Sequence, residues 1–461
     1  MIRISPVIIG LLFGAMVNLV PGSAIGSDPE LPPANIFDMS AMLDVSTLDL
    51  KILSDEILSI GSRSGNEVRE VKFEFFSHSW QGEPLRHKAT VYVPADGISP
   101  EKIEMAVANQ SGSSNVESGF DIFLEYGAYT ALDLGIPAML IEFSIAHSGI
   151  QRPGPLRRFT THQFFETGDP NWIHWVALAK SYMRAMTAVN QVEGIEATRF
   201  VLGGSSKRAQ AAWIVAAADE RVEGLVAIAR PGNLTHFVQN RMLGRLVTPE
   251  DYPIPGGKYR ERMAYIEDLY TRRGYEYMAY IDPYYFLSRV NVPVMCLVGT
   301  NDELMSNWDD HGFYPFYQGQ KRFGYVPNYP HGMASGKHSE AYRAWAGYCF
   351  FGNPAPRLTA MGVVENGSLH VQSIVHAGSE QGKIQKATLY YSVLEGQTFS
   401  DRKDRFLSLP MKREGETSLW SVALPLEGGV GREVFWYVEA SSNHGGLDGF
   451  SCTLLERTVL Q

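Results

Sequence analysis

Three residues stand in the chain order serine, acid, histidine, each at the end of a predicted strand: Ser206, Asp302 and His331. A serine hydroxyl is a weak nucleophile at neutral pH. It becomes reactive when an imidazole takes its proton and a carboxylate holds that imidazole in one tautomer. Ser206 follows the apolar run Phe200-Val201-Leu202 and the turn Gly203-Gly204-Ser205, and it precedes a helix-like stretch ending at Ala218. Strand, glycine turn, serine and helix are the context of a nucleophile elbow, where the turn lifts the hydroxyl over a helix N-terminus. Asp302 ends the apolar segment Val292 to Gly299, and His331 lies on the loop Val326-Pro-Asn-Tyr-Pro-His-Gly332. That order is the one found in α/β-hydrolases. Glu303, Asp309 and Asp310 are neighbouring alternatives for the acid.

Acyl transfer also needs donors aimed at the oxygen that becomes negative. The amide after the nucleophile, that of Lys207, is one candidate. The second comes from Gln110-Ser-Gly-Ser-Ser114 after an early strand, where Ser113 is the expected donor. The side chains of Lys207 and Arg208 place two positive charges beside the serine. They would steer an anionic or C-terminal carboxylate substrate, or else pack on the helix surface and pair with acids.

The elements that must position these groups alternate. Val68–Phe76 and His87–Val93 read as a hairpin, followed by strands at 105–109, 137–142, 200–202 and 224–229. Helical stretches lie between them, at 126–134 and from Asp169 through Asn190, with Trp172, Trp175, Leu178, Ala179, Tyr182 and Met183 at helical spacing. This alternation predicts an α/β fold, a doubly wound and mostly parallel sheet. The segment of about 240–285 interrupts the rhythm before the acid-bearing strand and reads as a helical lid that shapes the substrate site. From about residue 358 to 461 the chain shows short alternating strands without helices, as in a small β-sandwich of immunoglobulin or fibronectin type. The α/β-hydrolase unit then spans about 35–352.

The N-terminus carries Arg3, an uncharged apolar run from Val7 to Val20, and small residues at Pro21-Gly22-Ser23-Ala24. This is the layout of a secretory signal peptide over residues 1–24, with a run too short for a comfortable membrane span. A periplasmic or secreted location follows. The net charge of −10 argues against a nucleic-acid partner. Cys296, Cys349 and Cys452 are too few and scattered for a disulfide framework, and the 12 histidines form no H-x-x-x-H or H-E-x-x-H pattern. No metal or cofactor is expected.

Gly204-Ser-Ser-Lys-Arg-Ala209 resembles the G-x-S-K-R-G segment of the PhoPQ-activated pathogenicity-related protein family. Glu166–Trp172, Asp282–Tyr285, Thr300–Glu303, Val326–Gly332 and Gln110–Asn115 resemble its other characteristic stretches. The resemblance runs from about residue 35 into the C-terminal β region. It implies an exported α/β-hydrolase, related in fold to dipeptidyl-peptidase and acetyl-xylan-esterase-like enzymes, with the same serine, aspartate and histidine. Ala209 departs from the glycine usual in the family, a small-for-small change. The leading expectation is a serine hydrolase acting on a small-molecule ester or peptide through an acyl-enzyme. The competing one is a secreted binding or signalling protein on an inactive hydrolase scaffold.

Overall fold

In a computed structural model, the structure describes residues 31–61, 66–111, 120–142, 145–229, 232, 266–302, 313–353, 355–378, 383–394, 405–426, 433–444 and 446–459. The central sheet begins with β1 (Lys51–Ser59), β2 (Glu67–Trp80) and β3 (Glu83–Pro94), paired antiparallel in sequence order. The expected hairpin is β2–β3, with Phe75 opposite His87 and Val71 opposite Val91. Then come β4 (Met105–Ser111), β5 (Ala138–Glu142), β6 (Arg199–Ser205), β7 (Val222–Ile228), β8 (Val294–Gly299) and β9 (Lys321–Val326). Their spatial order is β3-β5-β4-β6-β7-β8-β9, and from β5 to β9 every pair is parallel. The strands β6 and β8 are near-continuous apolar or small runs because helices cover both sheet faces.

The covering helices explain their own composition. After the short α1 (Met39–Leu43) and α2 (Tyr129–Leu134), α3 (Pro153–Thr167), α4 (His174–Ala188) and α5 (Lys207–Ala216) pack near the nucleophile side of the sheet. In α4 all residues except Lys180 are buried, which matches a helix apolar on nearly all faces. The sequence placed the start of this helix at Asp169. Instead, Asp169 caps a single tight turn, Pro170–Trp172, and Ile173 is extended, so the helix begins at His174. Arg184 of α4 is buried yet satisfied, donating to the carbonyls of Ala41, Met42, Asp44 and Ser77.

The C-terminal strands are β10 (Arg357–Glu365), β11 (Ser368–His376), β12 (Lys383–Leu394), β13 (Leu407–Pro410), β14 (Lys412–Arg413), β15 (Leu419–Pro425), β16 (Glu433–His444), β17 (Leu447–Cys452) and β18 (Glu456–Val459). One sheet, β10-β11-β15-β14, faces the layer β13-β12-β16-β17 across a core that includes Leu369, Val371, Leu389, Trp420, Val434 and Val438. This is the expected sandwich. It also joins the central sheet, since β17 pairs antiparallel with β9 at Cys452 and Phe323. The Tyr325 N–H donates to Cys452 Sγ, and the Leu455 N–H donates to the Tyr325 hydroxyl.

Candidate functional site

The chain steps from β4 to β5 on one side and then crosses back over β4 to β6 on the other, so the winding reverses between β4 and β6. Ligands of open α/β sheets bind at the carboxyl ends of strands at such a point. Ser206 follows β6 there. Its backbone has φ 57° and ψ −118°, a conformation that a side chain tolerates only when the surroundings impose it. Here they do. The Ser206 N–H continues the ladder to the Ile228 carbonyl at 2.8 Å, and the Ser206 carbonyl accepts from Gln210 N–H to start α5. A Cβ on Gly204 would lie 2.9 Å from the Tyr182 hydroxyl and 3.0 Å from the Arg208 backbone, so the turn closes only around glycine. Ala209 is fully buried against the sheet, where its methyl group is accommodated.

The Ser206 hydroxyl does not cap α5. The amides of the first helical turn, Lys207 first among them, therefore have no partner within the helix. Tyr182 of α4 braces the turn from below. Its hydroxyl donates to the Gly203 carbonyl and accepts from Gln110 N–H at 3.2 Å, tying the ends of β4 and β6 together. In the sequence Tyr182 is one of the helically spaced residues of this stretch, and nothing in its spacing separates it from its apolar neighbours. Ser113, Glu303, Asp309, Asp310 and most of the expected lid lie outside the described residues. The described end of that lid segment, the helix Arg272–Ile281, is docked rather than free-standing. Gln210 of α5 donates to the Ile281 carbonyl, and Tyr277 is buried with its hydroxyl 3.1 Å from Thr161 Oγ1.

Asp302 follows β8 and is fully buried. His331 lies on the loop after β9, the adjacent parallel strand, with its side chain 14% exposed. Its Nδ1 is 2.8 and 3.0 Å from the two carboxylate oxygens. An Nδ1–H donated to a carboxylate leaves Nε2 as the basic nitrogen. The two loops are interlocked. Asn301 N–H donates to the Tyr329 carbonyl, Asn328 N–H to Thr300 Oγ1 at 2.7 Å, and a Cβ on Gly299 would strike the Tyr329 and Pro330 carbonyls. Farther along, the Tyr126 hydroxyl donates to the Met333 carbonyl. The structure thus brings Asp302 and His331 together, and sets Ser206 at a strand end of the same sheet. Among the described residues no group of three or more His, Cys, Asp or Glu side chains is arranged to hold a metal ion.

Around the start of α5 the field is positive. Burial, then Arg208 and then Arg157, push the Lys207 ammonium down to about 8. Burial, then Lys207, Arg157 and Arg208, keep His174 neutral, with its pKa lowered to about 3.

Autocrine proliferation repressor protein A of Dictyostelium discoideum is 24% identical over 245 residues, covering 50% of this chain and 48% of that protein. The chain thus matches about half the length of that relative. An acetyl xylan esterase from Paenibacillus sp. R4 has a TM-score of 0.46 at 15% identity, over 68% of this chain and 92% of that one. A glucuronoyl esterase from Solibacter usitatus has a TM-score of 0.44 at 13% identity, over 68% and 92%. Residues 59–395 match the PhoPQ-activated pathogenicity-related protein family as a whole, well over half of the sequence, and the chain belongs to that family.

Proposed function

We propose that this protein is an exported serine hydrolase that cleaves an ester or peptide bond through an acyl-enzyme. The observation that carries the reading is the fully buried Asp302 holding Nδ1 of His331, on the same sheet whose winding reversal ends in the strained Ser206. Ser206 Oγ attacks the carbonyl carbon while His331 Nε2 takes its proton. The tetrahedral oxyanion accepts from the Lys207 N–H and from an amide of the Gln110–Ser114 loop, with Ser113 the proposed donor. Collapse breaks the bond to the alcohol or amine, which leaves with the proton from His331. Water then repeats the two steps and releases the acid, restoring Ser206.

The apolar N-terminal run followed by small residues supports export through cleavage near residue 24. Residues 35–352 form the proposed hydrolase unit, and 358–461 a sandwich that supports it. N-terminal sequencing of the secreted or periplasmic protein tests the cleavage.

The test of the chemistry is labelling of the mature protein by a fluorophosphonate, with the modified peptide identified by mass spectrometry. The expected adduct is on Ser206 and is lost in Ser206→Ala. A second reading, a secreted binding or signalling protein on an inactive scaffold, draws on the repressor name of the relative matched over about half its length. Folded protein that resists the probe would replace the first reading with the second.

A further inference from the structure

The first turn of α5 and the start of α4 meet beside the elbow, and the side chains there are unusual in one respect: cations and N–H donors outnumber acceptors. Arg157, Lys207 and Arg208 have no carboxylate partner among the described residues, and Arg208 Nε is buried with no hydrogen bond. His174, the first residue of α4, is 2% exposed, and neither of its ring nitrogens is bonded. The buried indole Nε1 of Trp175 is equally unsatisfied. Arg157 lies over the Trp175 ring at 5.9 Å, and that ring meets His174 edge-on at 6.0 Å, which links α3 to α4. Buried polar atoms in native proteins are nearly always paired, so such a cluster needs an explanation. Uncompensated cations in the same place suit an anion rich in acceptor oxygens as a partner.

We infer that Arg157, Lys207, Arg208, His174 and Trp175 form a carboxylate-binding subsite of the hydrolase. A planar carboxylate suits a guanidinium fork, and indole and imidazole N–H groups would complete its shell. The carboxylate of such a substrate comes either from a peptide C-terminus or from a uronic acid. The inference rests on the reading of Ser206 as the nucleophile, because the subsite acquires its meaning from lying beside that residue. The lowered Lys207 pKa accords with it, since a resident carboxylate partner would have held the ammonium charge in place.

The experiment is calorimetric titration of the full-length mature Ser206→Ala protein, which cannot turn over ligand. The probes are N-acetylalanine against N-acetylalaninamide for the peptide source, and galacturonate against galactose for the sugar source. Each acid is expected to bind at least about tenfold tighter than its neutral match if it comes from the right source, as for a charge-assisted hydrogen bond. Arg157→Gln, at an exposed position, is expected to weaken that acid about tenfold. Arg208→Lys is expected to retain more affinity than Arg208→Gln, a rank order that misfolding does not produce. Equal binding of acids and neutral matches, or acid affinity indifferent to Arg157→Gln and Arg208→Gln in folded protein, would overturn the subsite. Fluorophosphonate labelling of the wild type is read separately. Acid-selective binding without labelling would sink the hydrolase reading alone, and labelling without acid selectivity would sink the subsite alone.

Discussion

Asn328 and Phe406 exchange two hydrogen bonds: Asn328 Nδ2 donates to the Phe406 carbonyl at 2.9 Å, and the Phe406 N–H donates to Asn328 Oδ1 at 2.8 Å. Asn328 lies three residues before His331, whereas Phe406 belongs to the C-terminal sandwich, just ahead of β13. The sandwich therefore grips the loop that carries the proposed catalytic base. Asn328 also sits at φ 58°, a left-handed conformation that asparagine tolerates better than most residues.

Asn328→Ala is expected to lower the fluorophosphonate labelling rate at least about tenfold and stability by about 2–3 kcal/mol. The loss combines the two hydrogen bonds to Phe406 with left-handed strain. Asn328→Gly removes the strain and keeps the lost bonds, so it should recover stability in part and labelling hardly at all. A labelling rate equal to wild type in folded Asn328→Ala would mean that the grip does not position His331.

Asp302→Asn tests the acid directly. The amide preserves volume in a fully buried site but no longer fixes the Nδ1–H tautomer, and the analogous change in a serine protease lowers kcat by about 10⁴-fold. A loss of that order in labelling or turnover is expected while the unfolding midpoint moves little. If Asp302→Asn retains a tenth of the wild-type rate, the acid is another residue, and Glu303, Asp309 and Asp310 become the positions to substitute.

Acid should destabilise the fold through three buried histidines. Burial pushes the pKa of His87 down to about 4 and those of His174 and His338 to about 3, from an unfolded value of 6.5. Between roughly pH 4 and 6.5 the unfolded chain therefore binds more protons than the native one, and stability rises with pH. Each fully uptaking histidine contributes a slope of about 1.4 kcal/mol per pH unit. Urea unfolding at pH 4.5, 5.5 and 7 should show the decline, and a flat profile would show that these imidazoles are protonated without difficulty in the native state.

The parts of the fold readable from sequence are those with a strong local signature. Buried apolar runs such as Val292–Gly299 announced the parallel strands, and Gly203-Gly204 before Ser206 announced a tight turn. The docked relationships had no such signature. Tyr182 looks like any core residue of α4, yet its hydroxyl closes the gap between β4 and β6. Arg157, His174 and Lys207 lie on three helices, and only the packing of α3, α4 and α5 gives them a common site. Strand β1 went unread because its residues are mostly exposed, which leaves no hydrophobic alternation to detect. The pairing of β17 with β9 was equally invisible, since register between distant strands is not written in either one.

That pairing is reinforced by Lys337, at the start of the helix Gly336–Phe351, whose ammonium pairs with Glu439 of β16. The ammonium also lies 4.5 Å from the Phe450 ring centroid and 5.2 Å from that of Tyr390. Burial alone would lower the Lys337 pKa, but Glu439, with smaller contributions from Cys452 and Tyr390, outweighs it and raises it. Because Glu439 is almost wholly buried, removing one partner leaves a charge in a poorly solvated place. Lys337→Met is therefore expected to destabilise by about 3–5 kcal/mol. Glu439→Gln should fall short of that, because the Lys337 side chain is one-quarter exposed and its ammonium keeps the two rings. The double variant Lys337→Met with Glu439→Leu removes both charges and should recover most of the loss. Urea denaturation of the two single variants and the double gives the coupling. Additive losses would show that the pair makes no joint contribution to holding the sandwich against the central sheet.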